Sequence, residues 1–600
     1  MPPIRLLVII GWMPQKRRER NESEGCGKAS LCSTTTLFVI ACLLSSCGPA
    51  PVEVATFPGV VTIPYPTVTN LGVEWEIEGD DNLNGRVTVS YRANDDEGWR
   101  EGLPLRRVPA GRSRGTSPVF RWRNKHSGSI FDLRPDTEYE IRLILDDPDG
   151  GSAERIVRAT TRPVPRAPAN ATVRRVTPET IASAAAGEVL ELAAGYYGAF
   201  EPEVDGEPDN PIVYRSVDGR AVFRSVSLKN RRNVYLEGLT IRGSTQPQTE
   251  ATAEPAVELV GAKNCVVRRC MIRSTWGIVA SNPPGAENCY IADNVVEGIN
   301  VWRNESMGAD GSANVGEGIR ITGPGNVIAH NRVIGFRDNI SLMEEKRSVR
   351  QIGVDIYNND VYRGLDDGIE ADFCWNNCRV LRNRITNCYV GVSSQPGLGG
   401  PTYFIRNVMY NVVHEAIKLQ RWSVGDVALH NTAIKAGDGM TAFSEDRPFD
   451  FALFRNNLFI GGPNAGVEWG GYGAGAGRAV WMPNVGPNND FDYDAVGTHE
   501  TPFIAEIGGR DFFEVEPHGL QVDMDTFNGV EFPSPPIPER APPDLRPQER
   551  SAVVDAAQRL PNINDVFLGQ GPDVGAYEAG QPLPIYGPRP RGIDEAFSQP

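Results

Sequence analysis

Residues 366 to 372 read Asp-Asp-Gly-Ile-Glu-Ala-Asp, which places four carboxylates in seven positions. Gathered on one face, such acids supply the several oxygen ligands that a hard cation such as Ca2+ takes, and Asp366, Asp367 and Glu370 are the candidate ligands. Set across a groove, two of them, Glu370 and Asp372, can act as acid and as base or nucleophile on a glycosidic bond. Their Cα atoms, two apart on a strand, would lie ~7 Å from one another. Asp366 and Asp367 before Gly368 equally suit a solvated turn. Downstream, Lys418, Gln420, Arg421 and Trp422 form a second dense polar patch. Trp375 and Trp422 offer indole faces for sugar rings, and Gln395 and Gln420 offer amides for sugar hydroxyls.

Residues this far apart in sequence meet only if the chain repeats, and it does. Rows beginning at Val234, Val266, Tyr290, Val327, Asp355, Arg379, Tyr403, Val427 and Ala452 align. Their fifth positions hold Gly238, Cys270, Asn294, Asn331, Asn359, Asn383, Asn407, Asn431 and Asn456. From Asn359 the steps are 24, 24, 24 and 25 residues. That period predicts a right-handed, single-stranded parallel β-helix, with three short strands per coil stacked ~4.8 Å from their equivalents. The Asn amides would then bond along the stack, and the apolar third and seventh positions would face inward. His330, Arg382, Arg406, His430 and Arg455 form a column one place before the ladder, read as a solvated face or as a track for an anionic polysaccharide.

A second strand follows each row. Stacking it puts Ile340, Ile369, Val392, Ile417 and Met440 inward and Ser341, Glu370, Ser393, Lys418 and Thr441 outward. Glu370 and Lys418 would share an exposed surface, ~10 Å apart at Cα. Asp372, Gln395 and Gln420 complete a polar groove floor, flanked by Trp375 and Trp422, that fits an extended polysaccharide.

The ladder and the opening segment 186–216, after a cap helix expected near 178–185, resemble the pectate lyase, chondroitinase B and alginate lyase superfamily over 172–470. That resemblance implies a polysaccharide lyase acting on uronic-acid glycans. Such a lyase needs a base to take the proton beside the uronate carboxylate and a cation to neutralise that carboxylate. By this likeness Lys418 is the candidate base, Arg421 or Arg320 the neutralising group, and Ca2+ the cofactor. The same fold also carries glycoside hydrolases and binding proteins without turnover, such as adhesins.

The remaining segments set the context. Residues 52–163 alternate polar and apolar positions between turns, and Leu133 to Tyr139 resembles the tyrosine corner of fibronectin type III domains. An immunoglobulin-like β-sandwich is expected there, serving as a spacer or weak binding module. A Pro-rich linker follows at 164–171, and an irregular cap and tail at 471–600. The fold class is therefore all-β. The first 47 residues read as an export signal ending in Leu-Leu-Ser-Ser-Cys, which resembles a bacterial lipobox and would leave Cys47 lipid-bearing. The expected product is exported and anchored to the membrane through Cys47, or secreted, and monomeric. The formal net charge of −16 argues against nucleic acid as partner. Cys265 and Cys289 share a column on consecutive coils, ~5 Å apart at Cα, so either a disulfide or a buried thiol stack fits.

Overall fold

The computed structural model describes residues 52–281, 283–308, 315–342, 349–442, 447–464, 468–469 and 472–596. The expected export segment and Cys47 lie outside them. Two long parallel sheets build a β-helix. One has 13 strands, from Thr172–Val176 to Asp490–Asp492, and the other 18, from Gly195–Phe200 to Leu520–Val522. Parallel pairing therefore continues past residue 470, where irregular structure was expected, through Ala495–Thr498 to Leu520–Val522. The cap helix expected near 178–185 is instead a series of turns, because eight residues are too few to offset helix nucleation without a packed face.

Asn side chains hold the coils in step. The amides of Asn294, Asn331, Asn359, Asn383, Asn407 and Asn431 each donate to the Oδ1 of the next Asn at 2.9 to 3.0 Å, and Asn457 closes the stack on Asp494 at 2.9 Å. Each Oδ1 also accepts the backbone N–H of the preceding Asn, as Asn383 does from Asn359 at 3.0 Å. Two rows are displaced by one residue from the sequence alignment. Leu239 rather than Gly238 stands beside Cys270, and Asn457 rather than Asn456 carries the ladder.

The inward positions are the second and seventh of each row. Ile291, Ile328, Ile356, Val380 and Phe404 join Val296, Val333, Val361, Ile385 and Met409 in the interior. The third position, expected inside, points out. Ala329, Tyr357, Leu381, Ile405 and Leu429 form a separate cluster with Val68, Leu103 and Phe131 of the N-terminal unit. They are apolar because another part of the chain covers them.

That unit is a seven-stranded antiparallel arrangement, in the order Thr56–Thr62, Leu71–Gly79, Lys125–Ile130, Arg100–Val108, Arg86–Ala93, Glu138–Asp146, Ala153–Thr160. Alternate residues of its strands, among them Val73, Trp75, Val87, Val89, Ile141 and Leu143, fill one core. The Tyr139 hydroxyl accepts the Arg134 N–H at 2.8 Å and pins the chain before that strand. The unit is fixed to the β-helix. Ser129 Oγ donates to Asn377 Oδ1 at 2.9 Å, the Ser129 N–H donates to the Tyr403 hydroxyl at 3.0 Å, and Asn70 Nδ2 donates to Asp355 Oδ2 at 2.8 Å. Beneath them Arg379 and Asp355 form a fully buried ion pair.

The column read as a solvated face is covered as well. His330, Arg382, Arg406, His430 and Asn456 occupy it, all at φ between +50° and +60°, where the chain bends from one sheet to the next. Arg382 donates to Asp132 of the N-terminal unit at 2.8 and 2.9 Å. Arg406 and His430 meet the tail at Ala576 O and Gly575 O. Arg455 lies outside this column because of the one-residue displacement.

Candidate acidic-basic site

The second strand of each coil keeps the expected register. Ile278, Ile319, Ile340, Ile369, Val392 and Ile417 stack inward. Val279, Arg320, Ser341, Glu370, Ser393 and Lys418 stack beside them. In strand Asp360–Glu370 the pairing to Arg384–Ser394 shifts between Gly364 and Asp367, so the former strand carries one extra residue there. A bulge of this kind re-aims side chains, and Asp366 and Asp367 sit on it.

Three carboxylates converge at the bulge. Asp338, Asp366 and Asp367 each place an oxygen within 4.8 Å of the others. Asp338 was absent from the expected ligand set. It comes from the preceding coil, where it occupies the same column as Asp367, and its Oδ1 accepts the Asp367 N–H at 2.9 Å. Glu370, expected as a ligand, lies outside this group and accepts the Ser341 hydroxyl at 2.7 Å. Lys418 Nζ lies 2.8 and 2.7 Å from the two oxygens of Asp367. Asp372 accepts the Ser393 hydroxyl and, at 2.8 Å, the Gln395 N–H. Arg337, another residue absent from the sequence reading, places Nε 3.2 Å from Asp338 and 3.9 Å from Asp366.

The centre is recessed rather than an open floor: Asp367 is 1% exposed and Lys418 11% at its side chain. Burial sets the electrostatics. Desolvation, then repulsion from Asp367, drives the Asp366 carboxyl well above its ordinary value. Desolvation and the neighbouring Asp372 do the same to Glu370. Asp372 is pushed up to about 7, mainly by burial and against the pull of Lys418. Burial works to lower the Lys418 pKa, but Asp367, Asp366, Asp372 and Glu370 together hold it well above that of a free lysine. The centre therefore holds excess carboxylate around one ammonium, and its acids favour protons wherever no further cation balances them.

The other expected residues are distributed around this centre. Arg320 shares the column of Glu370 but contacts Glu317 and Glu250, each at 3.0 Å, so its charge is already matched. Desolvation pushes Glu317 itself up to about 7. Arg421, half-buried, lies near enough to hold the Asp372 pKa down. Gln420 Nε2 reaches Glu415 Oε1 at 3.4 Å, and Gln395 flanks Asp372 through its backbone. The tryptophan faces are already occupied. Trp375 packs edge-on to Phe120 at 5.8 Å between centroids and carries Arg350 over its ring at 4.7 Å. Trp422 carries Arg447 at 5.9 Å and meets the backbone of Gly115, where an added Cβ would lie 2.6 Å from the ring. Away from the site, Cys265 and Cys289 occupy facing positions on consecutive coils, yet both are buried free thiols. No disulfide joins them.

Comparison with family models gives no match, and comparison with curated proteins gives none. Among solved structures, one titled "Crystal structure of pectate lyase Pel9A" is similar in fold, with 14% sequence identity, a TM-score of 0.35, and coverage of 68% of this chain and 98% of that one.

Proposed function

We propose that the chain is an exported enzyme acting on polysaccharide, a lyase for uronic-acid glycans with Lys418 as the base. The observation that carries this reading is a single ammonium, Lys418, held against a carboxylate of a three-acid cluster in a recessed centre. The cluster suits Ca2+ chemically: all donors are hard oxygens, and the buried negative charge exceeds what Lys418 and Arg337 balance. Asp338, Asp366 and Asp367 would hold the ion. When bound, Ca2+ supplies positive charge that stabilises a substrate carboxylate as its neighbouring carbon loses a proton.

Lys418 Nζ would take that proton. The electron pair of the broken C–H bond then forms a carbon–carbon double bond as the glycosidic C–O bond at the adjacent carbon breaks, and the departing sugar oxygen keeps that bond's electron pair and takes a proton from water. To act as base, Lys418 must first lose the proton that Asp367 stabilises, so neutralising Asp367 is part of activation. Arg421, whose charge lowers the Asp372 pKa, would meet the substrate carboxylate. The N-terminal unit is read as a fibronectin type III-like domain, and Cys47 as a lipid anchor. A second reading, glycoside hydrolysis with Asp372 and Glu370 as the acid pair, draws on the Asp372 pKa near 7, which suits a general acid.

The test is incubation of the protein with polygalacturonate, alginate and chondroitin sulfate, with and without chelator. A lyase produces ultraviolet-absorbing unsaturated ends that require Ca2+. A hydrolase produces reducing ends without that absorbance. If neither appears, the enzyme assignment fails.

A further inference from the structure

The N-terminal unit reaches the candidate site through one hairpin, in which Gly111–Arg112 pairs antiparallel with Arg121–Trp122. Its contacts with the β-helix fall just past the ends of the strands that carry Glu370 and Lys418. Phe120, buried, packs on Phe373 at 5.6 Å and on Trp375 at 5.8 Å, and these two residues directly follow Asp372 and Cys374 in sequence. Gly115, at φ +67°, lies against Trp422, next to Arg421 and four residues beyond Lys418. Trp122 packs on Gly399, where a Cβ would come within 2.7 Å of the indole, and joins Leu398 and Phe373 in one small apolar cluster.

The outer side of the hairpin is basic. Arg112, Arg114 and Arg121 are exposed, and across the contact Arg350 and Arg447, also exposed, lie over Trp375 and Trp422. In a chain of net charge −16, five exposed arginines thus gather on the hairpin and on the Trp375 and Trp422 segments that follow the carboxylate centre in sequence. An acidic interior attracts a cation, whereas a basic rim attracts an anion. A polyanion whose reacting unit enters the centre and whose flanking units lie over the rim satisfies both.

We infer that the hairpin 111–122 forms one wall of the substrate cleft and that Arg112 and Arg114 bind carboxylates of sugar units flanking the reacting one. This rests on the uronic-acid reading above. It makes the N-terminal unit part of the binding site rather than a spacer. Arg112 and Arg114 are positioning residues, since the electrostatic attraction acts on sugars that do not react.

The full chain carrying both Arg112→Glu and Arg114→Glu tests the idea, beside a double Arg→Gln variant in case charge reversal disturbs folding. Expected for the reversal on polygalacturonate, alginate or chondroitin sulfate is a KM increase of about tenfold at low salt, shrinking as salt rises, with kcat within about twofold. The melting temperature should stay at the wild-type level, and the KM for a matching disaccharide, which carries a single unit beside the reacting one, should rise far less than that for the polymer. An unchanged polymer KM, or an equal loss on polymer and disaccharide, overturns the inference while leaving the lyase reading intact. If the wild type cleaves none of the three polymers, retardation in gels containing them decides instead. Retardation that the double variant loses supports the cleft wall without the chemistry, and no retardation of the wild type overturns both.

Discussion

Lys418 Nζ bonds both oxygens of Asp367, a residue 51 positions earlier that the fold brings two coils away. Lys418→Ala removes the proposed base and leaves Asp367 buried and unpaired. A loss of about 10²–10⁴-fold in turnover is expected, with a stability cost of about 3–5 kcal/mol unless Asp367 takes up a proton. Lys418→Arg retains the cation and most of the stability but not the activity, because guanidinium does not deprotonate at working pH. Assay of unsaturated product with urea denaturation separates the two effects. Near-wild-type turnover by either variant eliminates Lys418 as base.

Acidic groups raised in the folded state make stability fall as pH rises. Asp372 and Glu317 are both pushed up to about 7, chiefly by desolvation. The folded chain therefore binds more protons than the unfolded one between the ordinary carboxylate range, about 4, and about 7. Their protonated forms stabilise the fold fully below the first limit, and that contribution is lost through the second. The melting temperature measured without Ca2+ should fall by several degrees from pH 5 to pH 8. Asp372→Asn, which can still accept the Ser393 and Gln395 bonds, should flatten the profile.

If Asp338, Asp366 and Asp367 bind Ca2+, the ion should displace protons and raise the melting temperature more as pH rises, where protons compete least for the carboxylates. At about 100 times the dissociation constant the gain is about 2.7 kcal/mol. Asp338→Asn retains its acceptor for the Asp367 N–H but removes the one carboxylate charge that this coil contributes to the cluster, and should weaken the Ca2+-induced shift. Calorimetry in buffers of different ionisation enthalpy measures both the binding and the proton release. A melting temperature that chelator and Ca2+ leave unchanged counts against the site.

Asn383 sits at the middle of the ladder. Its Oδ1 accepts from both the N–H and the side chain of Asn359, and its amide donates to Ile356 O and Asn407 Oδ1. Asn383→Ala strands several buried groups at once, with an expected cost of about 3 kcal/mol or more by chemical denaturation.

Tyr403→Phe probes the union of the two units. The hydroxyl accepts the Ser129 N–H inside a buried interface, and its removal should cost about 1–3 kcal/mol. Unfolding should stay a single transition if the interface couples the units as tightly as its burial implies.

The coil period and the register of the second strand were legible because burial repeats with the chain: Ile340, Ile369, Val392 and Ile417 must all reach one interior. The same periodicity set Asp338 at the head of its row beside Asp367, but one acid at the start of a row looks like an ordinary turn residue, and its convergence with Asp366 and Asp367 shows only in the folded chain. The Asn456–Asn457 doublet permitted a one-residue slip that only the backbone resolves. Tyr357, Leu381 and Ile405 looked like core because they are apolar, although what buries them is the N-terminal unit. Trp375 and Trp422 looked like free sugar platforms for the same reason, since contacts between distant segments leave no periodic trace.

The docking face of the N-terminal unit also dictates an order of assembly. Its partners Asp355, Asn377 and Tyr403 lie some 250 to 285 residues downstream, and Asn562, which accepts the Phe131 N–H, lies 431 residues away. A nascent chain emerging from its amino end must hold that surface wet until most of the coils are synthesised. Docking is complete only once Asn562 has emerged, and a product cut short before residue 355 would leave that unit without a seat.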